Sequence, residues 1–419
     1  MSTLKVNKLR DTAGSTDAIT LDPNGGAVLA GVTTVTSVKV GAAVTISESG
    51  IEASGIGITC ANINGTQIGG RRNLIINGAM NVAQRGTSST VDGYGCIDRF
   101  RSNISGNDEA PTQSQVDVAS GTSPYSLGFR KAFRMTNGNQ TSGAGTTDVL
   151  CILHRMEAQD IANSGWNYTD SNSKITLSFW CKSSVAQVFY GYLRTKDGTE
   201  QLYPFQIGSL SADTWTKITK TIPGNSNLQF DNDNAHGLDI EFLMYRGTDR
   251  TGSISLDAWG AYNSSIRVPD MTSTWYTTND ATFEITGVQL EVGSQATAFE
   301  HRTIGDELTL CHRYFQEFPE SVGDKYGTLF NAYVANTGYV QGAFLFPEMR
   351  TAPTVTTTGN FRILYRGSTA SVSSFQFYHA NKTSLNPQAL TSTTLTLGEG
   401  AMVSADNDAS ARIQLSAEL

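Results

Sequence analysis

Lys174-Ile175-Thr176-Leu177-Ser178-Phe179-Trp180-Cys181 places Ile175, Leu177, Phe179 and Cys181 at every second position. Successive side chains of a strand point to opposite faces, so these four share one apolar face, as a strand of a sandwich requires. The same reading extends to residues 185–193, 215–222, 238–245 and 283–291, which are separated by polar loops. Repeated strands with almost no helical periodicity predict a jelly-roll β-sandwich over residues 71–302.

Downstream the period changes. Ile304, Leu308, Cys311 and Phe315 are spaced by three or four, which predicts a short linker helix over 303–316. Thr303 is its N-cap, and Asp306 stands three residues on, close to a capping box. Residues 327–346 and 361–378 again read as strands, so 317–419 form a small C-terminal β-domain, expected as a second sandwich.

Upstream, the first 70 residues contain no aromatic residue and consist of short alternations such as Val38-Lys39-Val40, Val44-Thr45-Ile46 and Gly55-Ile56-Gly57-Ile58. Strands this short bury too little area alone to offset backbone ordering. Three copies pointing small apolar faces at a common axis would supply the missing partners, giving a slender trimeric β shaft over 1–70. A disordered, low-complexity leader is the competing reading.

Composition supports an all-β molecule, and the shaft makes the expected homotrimer elongated. The 419 residues include 41 Gly and only 16% charged residues, a palette of turns and strands rather than surface helices. A net charge of −8 argues against nucleic-acid binding, which requires a basic face. No membrane insertion is expected, and Lys5, Lys8 and Arg10 are not followed by the apolar core of a secretory signal, so synthesis in the cytoplasm is expected. Cys60, Cys96, Cys151, Cys181 and Cys311 are widely scattered without a CxxC pair and read as reduced, buried thiols.

Three segments resemble bacteriophage tail-fibre proteins, especially those of podoviruses infecting cyanobacteria and other marine bacteria. Leu4-Lys5-Val6-Asn7-Lys8-Leu9, with Ile19-Thr20-Leu21-Asp22 and Gly25-Gly26, is similar to their virion-proximal leader. Arg72-Asn73-Leu74-Ile75-Ile76-Asn77-Gly78-Ala79-Met80, with Gln84-Arg85-Gly86 and Asp98-Arg99-Phe100, resembles the motif opening their central domain. Gly287-Val288-Gln289-Leu290-Glu291-Val292-Gly293, with Thr297-Ala298-Phe299-Glu300 and Cys311-His312-Arg313-Tyr314-Phe315, resembles the closing motif, which also recurs in carbohydrate-binding jelly rolls. The resemblance implies a homotrimer in the virion tail. Its N-terminus would attach to tail adaptor or nozzle proteins through Leu4, Val6, Leu9, Ile19 and Leu21, and its distal end would contact a host-cell glycan such as lipopolysaccharide.

Sugar binding needs rings for stacking and short polar groups for hydroxyls. Trp166, Tyr168, Trp259, Tyr262, Trp275, Tyr365, Tyr378 and His379 lie in polar stretches and are the candidates, while Trp180 and Trp215 sit within strand patterns and read as core. A polysaccharide depolymerase would need paired carboxylates, and Asp231, Asp233, Asp239, Glu241 and Glu284 form no distinguishing motif. The chain is therefore expected to be non-enzymatic and without metal or cofactor: Glu300, His301, Cys311 and His312 lack tetrahedral ligand spacing. Asp22-Pro23-Asn24-Gly25 and Asp231-Asn232-Asp233-Asn234 lack the features of a calcium loop. The expectation is an adhesive tail fibre, with a tail-associated depolymerase and a head-attached fibre or decoration protein as alternatives.

Overall fold

The computed structural model describes residues 72–319 and 323–419, together with the strands inside residues 8–67. The chain divides into two compact units, Met1–Ala61 and Asn62–Leu419. In the first, Lys8–Leu9, Ile19–Leu21 and Ala27–Leu29 form an antiparallel sheet with Leu9 opposite Ile19. Ser37–Val40, Val44–Ser47 and Gly50–Ala53 form another. Leu4, Val6, Cys60 and the Gly55–Ile58 stretch lie outside the described residues.

The second unit is all-β, and its first part is two six-stranded antiparallel sheets. One runs Phe100–Ser105, Val149–Glu157, His236–Arg246, Gln187–Thr195, Gln201–Leu210, Gly260–Ala261. The other runs Thr216–Pro223, Lys174–Ser183, Thr282–Val292, Lys131–Thr136, Thr112–Asp117, Ser88–Ser89. Apart from two directly paired neighbours, Thr112–Asp117 with Lys131–Thr136 and Gln187–Thr195 with Gln201–Leu210, sequence neighbours lie in different sheets or are separated within one, which is the crossed connectivity of a jelly roll. Ile175, Leu177, Phe179 and Cys181 are all fully buried. Phe179 meets Phe242 of the opposite sheet edge-on with centroids 4.8 Å apart, and Phe189 meets Phe283 at 5.1 Å. Such pairs add roughly 0.5–1.5 kcal/mol beyond their area burial.

The opening and closing motifs meet in space. Asn73 accepts from the Leu290 amide at 3.1 Å and donates to the Val288 carbonyl at 3.1 Å, while Leu74 donates to the Leu290 carbonyl at 2.9 Å. The Arg72 and Asn73 amides donate to Glu300 at 2.7 and 2.6 Å. Asn77 adopts φ +61° and uses its amide side chain to bind the Val82 and Asp98 carbonyls and the Val82 amide. These polar residues close the ends of the jelly roll by satisfying backbone groups that leave the ladder.

Thr303 caps the Ile304–His312 helix by accepting from the Asp306 amide at 3.2 Å. The face it buries follows the apolar spacing at Cys311 and Phe315 and departs from it at Ile304. Ile304 is 62% exposed, whereas Glu307 and Cys311 are buried. Glu307 is drawn in because it accepts from the Asn77 amide at 2.5 Å and pairs with Arg302 at 3.4 Å, so hydrogen bonding outweighs the pull of an isoleucine with nothing to pack on.

Beyond the helix lie two more sheets. Phe315–Phe318, Arg412–Ser416 and Thr354–Thr358 make one of three strands. The larger sheet runs Phe344–Leu345, Ser384–Leu390, Tyr339–Gly342, Thr328–Asn336, Gly400–Ala405, Phe361–Tyr365, Ser368–Ser371, with Ser374–Tyr378 also paired to Ser384–Leu390. The stretches 327–346 and 361–378, read as single runs, are each cut into three strands. Arg366 and Gly367, at φ +50° and +75°, form a two-residue hairpin turn within the second stretch. Phe330, Val340, Phe361, Ile363, Val403 and Leu415 belong to the core of this part.

Residues 62–419 cluster as one unit, because the final strand region is clamped onto the jelly roll. Glu418 pairs with Arg99, whose side chain is 1% exposed, and with Arg85 at 3.1 Å. Arg155 donates to the Leu419 carbonyl at 2.6 Å, and Arg350 bridges the Asn234 and Ala417 carbonyls. The Arg85 and Arg99 guanidiniums stack on Phe315 and Tyr314 at 3.6 and 3.4 Å from the ring centroids.

Candidate functional site

Most of the aromatic residues expected to meet a ligand pack against the protein. Trp166 is 3% exposed and clusters with Tyr168 and Phe230; the Tyr168 ring stands edge-on to Phe230 at 5.0 Å. Trp275 is fully buried, with its indole donating to the Thr282 carbonyl at 3.0 Å. Neither Trp166 nor Trp275 offers a face to a sugar. Trp259 is half-buried, donates to Pro223 at 2.7 Å and packs on Tyr203; Tyr262 lies under the Arg194 guanidinium at 3.7 Å. Tyr365 is half-buried against the C-terminal core. Tyr378 and His379 are exposed, Tyr378 by 44%. Trp180 and Trp215, read as core, are instead half-buried beside Phe129 and Phe299 in a small satellite cluster.

Tyr378 belongs to a set that the sequence did not single out. On the larger C-terminal sheet Tyr333 pairs with Gln341, Gln341 with Gln388, and Gln388 with Gln376, so a tyrosine and three amides stand in one row across four strands. Tyr378 pairs with Asn386 one step along the same face. Residues 330, 334, 340, 385 and 389 on these strands turn inward to the core, which directs Asn331, Tyr333, Gln341, Asn386 and Gln388 outward. Tyr333 is 52% exposed and borders a shallow depression of about 440 Å³ with Asn331, Gln341 and Asn386.

Two hydrogen bonds organise the row: Gln388 donates to Gln341 at 3.2 Å, and the Tyr378 hydroxyl donates to Gln376 at 2.7 Å. Each bond uses only part of an amide's capacity of two donors and an acceptor oxygen. The face can therefore donate to and accept from vicinal hydroxyls while the tyrosine rings supply apolar platforms. The depression is lined by amide, tyrosine, alanine and glycine residues, without carboxylate, imidazole or thiol groups.

A deeper cleft of about 430 Å³ lies beside the Ala158–Ala162 and Ile304–His312 helices. Its arginines are already engaged. Arg302 donates to the Asn73 and Ile75 carbonyls, and Arg313 donates to Glu157 at 2.6 and 2.7 Å. Among the described residues no group of three or more His, Cys, Asp or Glu could hold a metal. Cys96, Cys151, Cys181 and Cys311 are buried free thiols, and burial raises the Cys181 thiol to about 12.

No protein-family model matches the chain, and no curated protein matches it by sequence. Among solved structures, the enzymatically active domain of tailspike protein 4 from bacteriophage CBA120 aligns with 52% of this chain at 10% identity and a TM-score of 0.29. The chain covers 21% of that domain's length, about a fifth. A family 11 carbohydrate-binding module from Clostridium thermocellum, in complex with a mixed-linked tetrasaccharide, aligns with 51% of this chain and 98% of its own, at 12% identity and a TM-score of 0.22. The module TmCBM61, in complex with β-1,4-galactotriose, aligns with 53% of this chain and 99% of its own, at 10% identity and a TM-score of 0.26. At these scores the superpositions assign neither ligand nor activity to this chain.

Proposed function

We propose that this chain is a virion tail fibre that adheres to a host-cell surface glycan through the exposed face carrying Tyr333, Gln341, Gln388, Gln376 and Tyr378. The observation that carries the reading is the cross-strand row itself. Partly unsatisfied amides beside exposed rings form a surface suited to polyhydroxylated ligands and devoid of the paired acids that hydrolysis needs. The resemblance of residues 4–9 and 19–22 to virion-proximal leaders supports attachment through the N-terminal region.

The expected behaviour with purified host surface polysaccharide is binding without any fall in polymer length; shortening of the chains would replace adhesion with depolymerisation. Tyr333→Ala should weaken the binding about tenfold, or about 1.4 kcal/mol, as expected for losing one stacking platform at the centre of a contact. Unchanged affinity would move the site elsewhere.

Weak sugar contacts gain from multiplicity, since a second contact on the same particle becomes intramolecular. The homotrimer is part of the proposal for that reason. Light scattering of the full chain should give a mass near three times 45.0 kDa, and a monomer at micromolar concentration would remove the shaft from the proposal.

A further inference from the structure

The outer side of the second jelly-roll sheet holds a smaller, more enclosed cavity of about 180 Å³, lined by Phe129, Ser178, Trp180, Lys217, Phe299 and His301, among others. Phe129, Phe299 and His301 form a mutual ring cluster with centroids 4.9 to 5.2 Å apart. Gly287 makes room for it. Its φ of +64° lies in the left-handed region, and a Cβ there would come within 2.6 Å of the Phe129 ring. The bulge opposite Ser178 and Trp180 thus sets the packing of the cavity wall.

Two groups on this cavity are left without protein partners. Ser178 is 4% exposed, yet its hydroxyl has no hydrogen-bond partner among the described residues. Lys217 is exposed and has no carboxylate within ion-pairing distance among them, although the chain carries a net charge of −8. The Ser178 hydroxyl is not one of the buried atoms left unsatisfied, so it faces solvent through the cavity, where a ligand hydroxyl can take the place of water. The volume falls below the roughly 300 Å³ at which drug-sized ligand sites begin, so it admits one ring rather than a chain.

We infer that this cavity binds a single acidic pyranose, such as a uronate residue of a surface polysaccharide, with its ring against Trp180 and Phe299. One ring hydroxyl bonds Ser178, and the carboxylate faces the Lys217 ammonium. The inference relies on the adhesive reading for the source of the sugar, but not for the existence of the site.

The test uses the full chain with free glucuronate and glucose, followed by saturation-transfer NMR and tryptophan fluorescence. Glucuronate should bind saturably in the millimolar range, at least tenfold more tightly than glucose, and should weaken as salt is raised. Lys217→Met, at an exposed position, should remove the preference for the acid while leaving the unfolding temperature unchanged; Trp180→Ala should remove binding of both sugars. Tyr333→Ala should leave glucuronate affinity intact even as it weakens polymer adhesion, so failure of the adhesive reading and failure of this site are told apart. No saturable glucuronate binding by the unsubstituted chain, or an unaltered preference in Lys217→Met, overturns the inference.

Discussion

Glu418→Ala should destabilise residues 62–419 by about 3–5 kcal/mol and split their unfolding into two transitions, with the last hundred or so residues melting first. The reason is the orphan it leaves. Arg99 is 1% exposed and Glu418 is its carboxylate partner; the Arg155 carbonyl at 2.5 Å satisfies only one other nitrogen. Removing one member of a buried ion pair strands a charge in a medium that cannot solvate it, which is far costlier than losing a surface pair. The same logic predicts partial rescue. Arg99→Met in the Glu418→Ala background should be less damaging than Glu418→Ala alone, since the double variant contains no stranded guanidinium. Differential scanning calorimetry with a double-mutant cycle measures both effects. A Glu418→Ala chain within about 0.5 kcal/mol of the parent would mean that Arg99 is reached by water and that the clamp contributes little.

The alternation in residues 174–181 fixed a sandwich strand because a half-buried strand writes its burial directly into the sequence at period two. The Ile304–His312 helix is a harder case. Its cap was legible from Thr303 and Asp306, and the burial of Cys311 from its spacing, but the burial of Glu307 was not, since Glu307 is drawn in by the Asn77 amide, 230 positions away, and by Arg302. Arg99 is illegible for the same reason: nothing local marks an arginine as core, and only the meeting of residues 99 and 418 makes it so.

The candidate sites show the same division. Trp180 and Trp215 sit in strand patterns, and sequence cannot say which of a sandwich strand's two faces looks outward when both carry large side chains. Trp166 and Trp275 sit in polar stretches, yet Phe230 and Thr282 draw them in. Tyr333 was passed over because Leu329-Phe330-Asn331-Ala332-Tyr333-Val334 carries apolar side chains on both faces, which reads only as strand. Its row with Gln341, Gln388 and Gln376 exists only once four strands are in register. The opening and closing motifs that resemble those of tail fibres, by contrast, are occupied with closing the jelly roll through Asn73, Asn77 and Glu300. Their likeness therefore speaks to how the domain is built, and ligand chemistry has to be sought on the faces between them.

Glu157 gives the second large effect and adds a dependence on pH. It is fully buried and accepts from Arg313 at 2.6 and 2.7 Å, Tyr314 at 2.5 Å and Gln159 at 2.6 Å, tying the jelly roll to the residues after the helix. Burial alone would raise its pKa, but the hydrogen bonds from Arg313 and Tyr314 and the guanidinium charge outweigh it and hold the carboxyl below the usual range. A depressed folded-state pKa contributes stability that is present above the unfolded value and is lost as pH falls through the folded one. Asp98 has the opposite sign. Burial raises it to about 6, so its contribution falls as pH rises from roughly 4 to 6. The two therefore act in separate windows, and the acid limb below about pH 4 belongs to Glu157 and carboxylates like it. Glu157→Gln should cost about 2–4 kcal/mol at pH 7, less than stranding Arg99, because the Arg313 side chain is 31% exposed and can rehydrate. The loss should shrink as pH falls through the depressed folded-state pKa, because the parent's carboxylate is then protonated as well. Urea titrations at pH 3, 5 and 7 measure the difference, and a pH-independent loss would show that shape, rather than charge, holds this hub together.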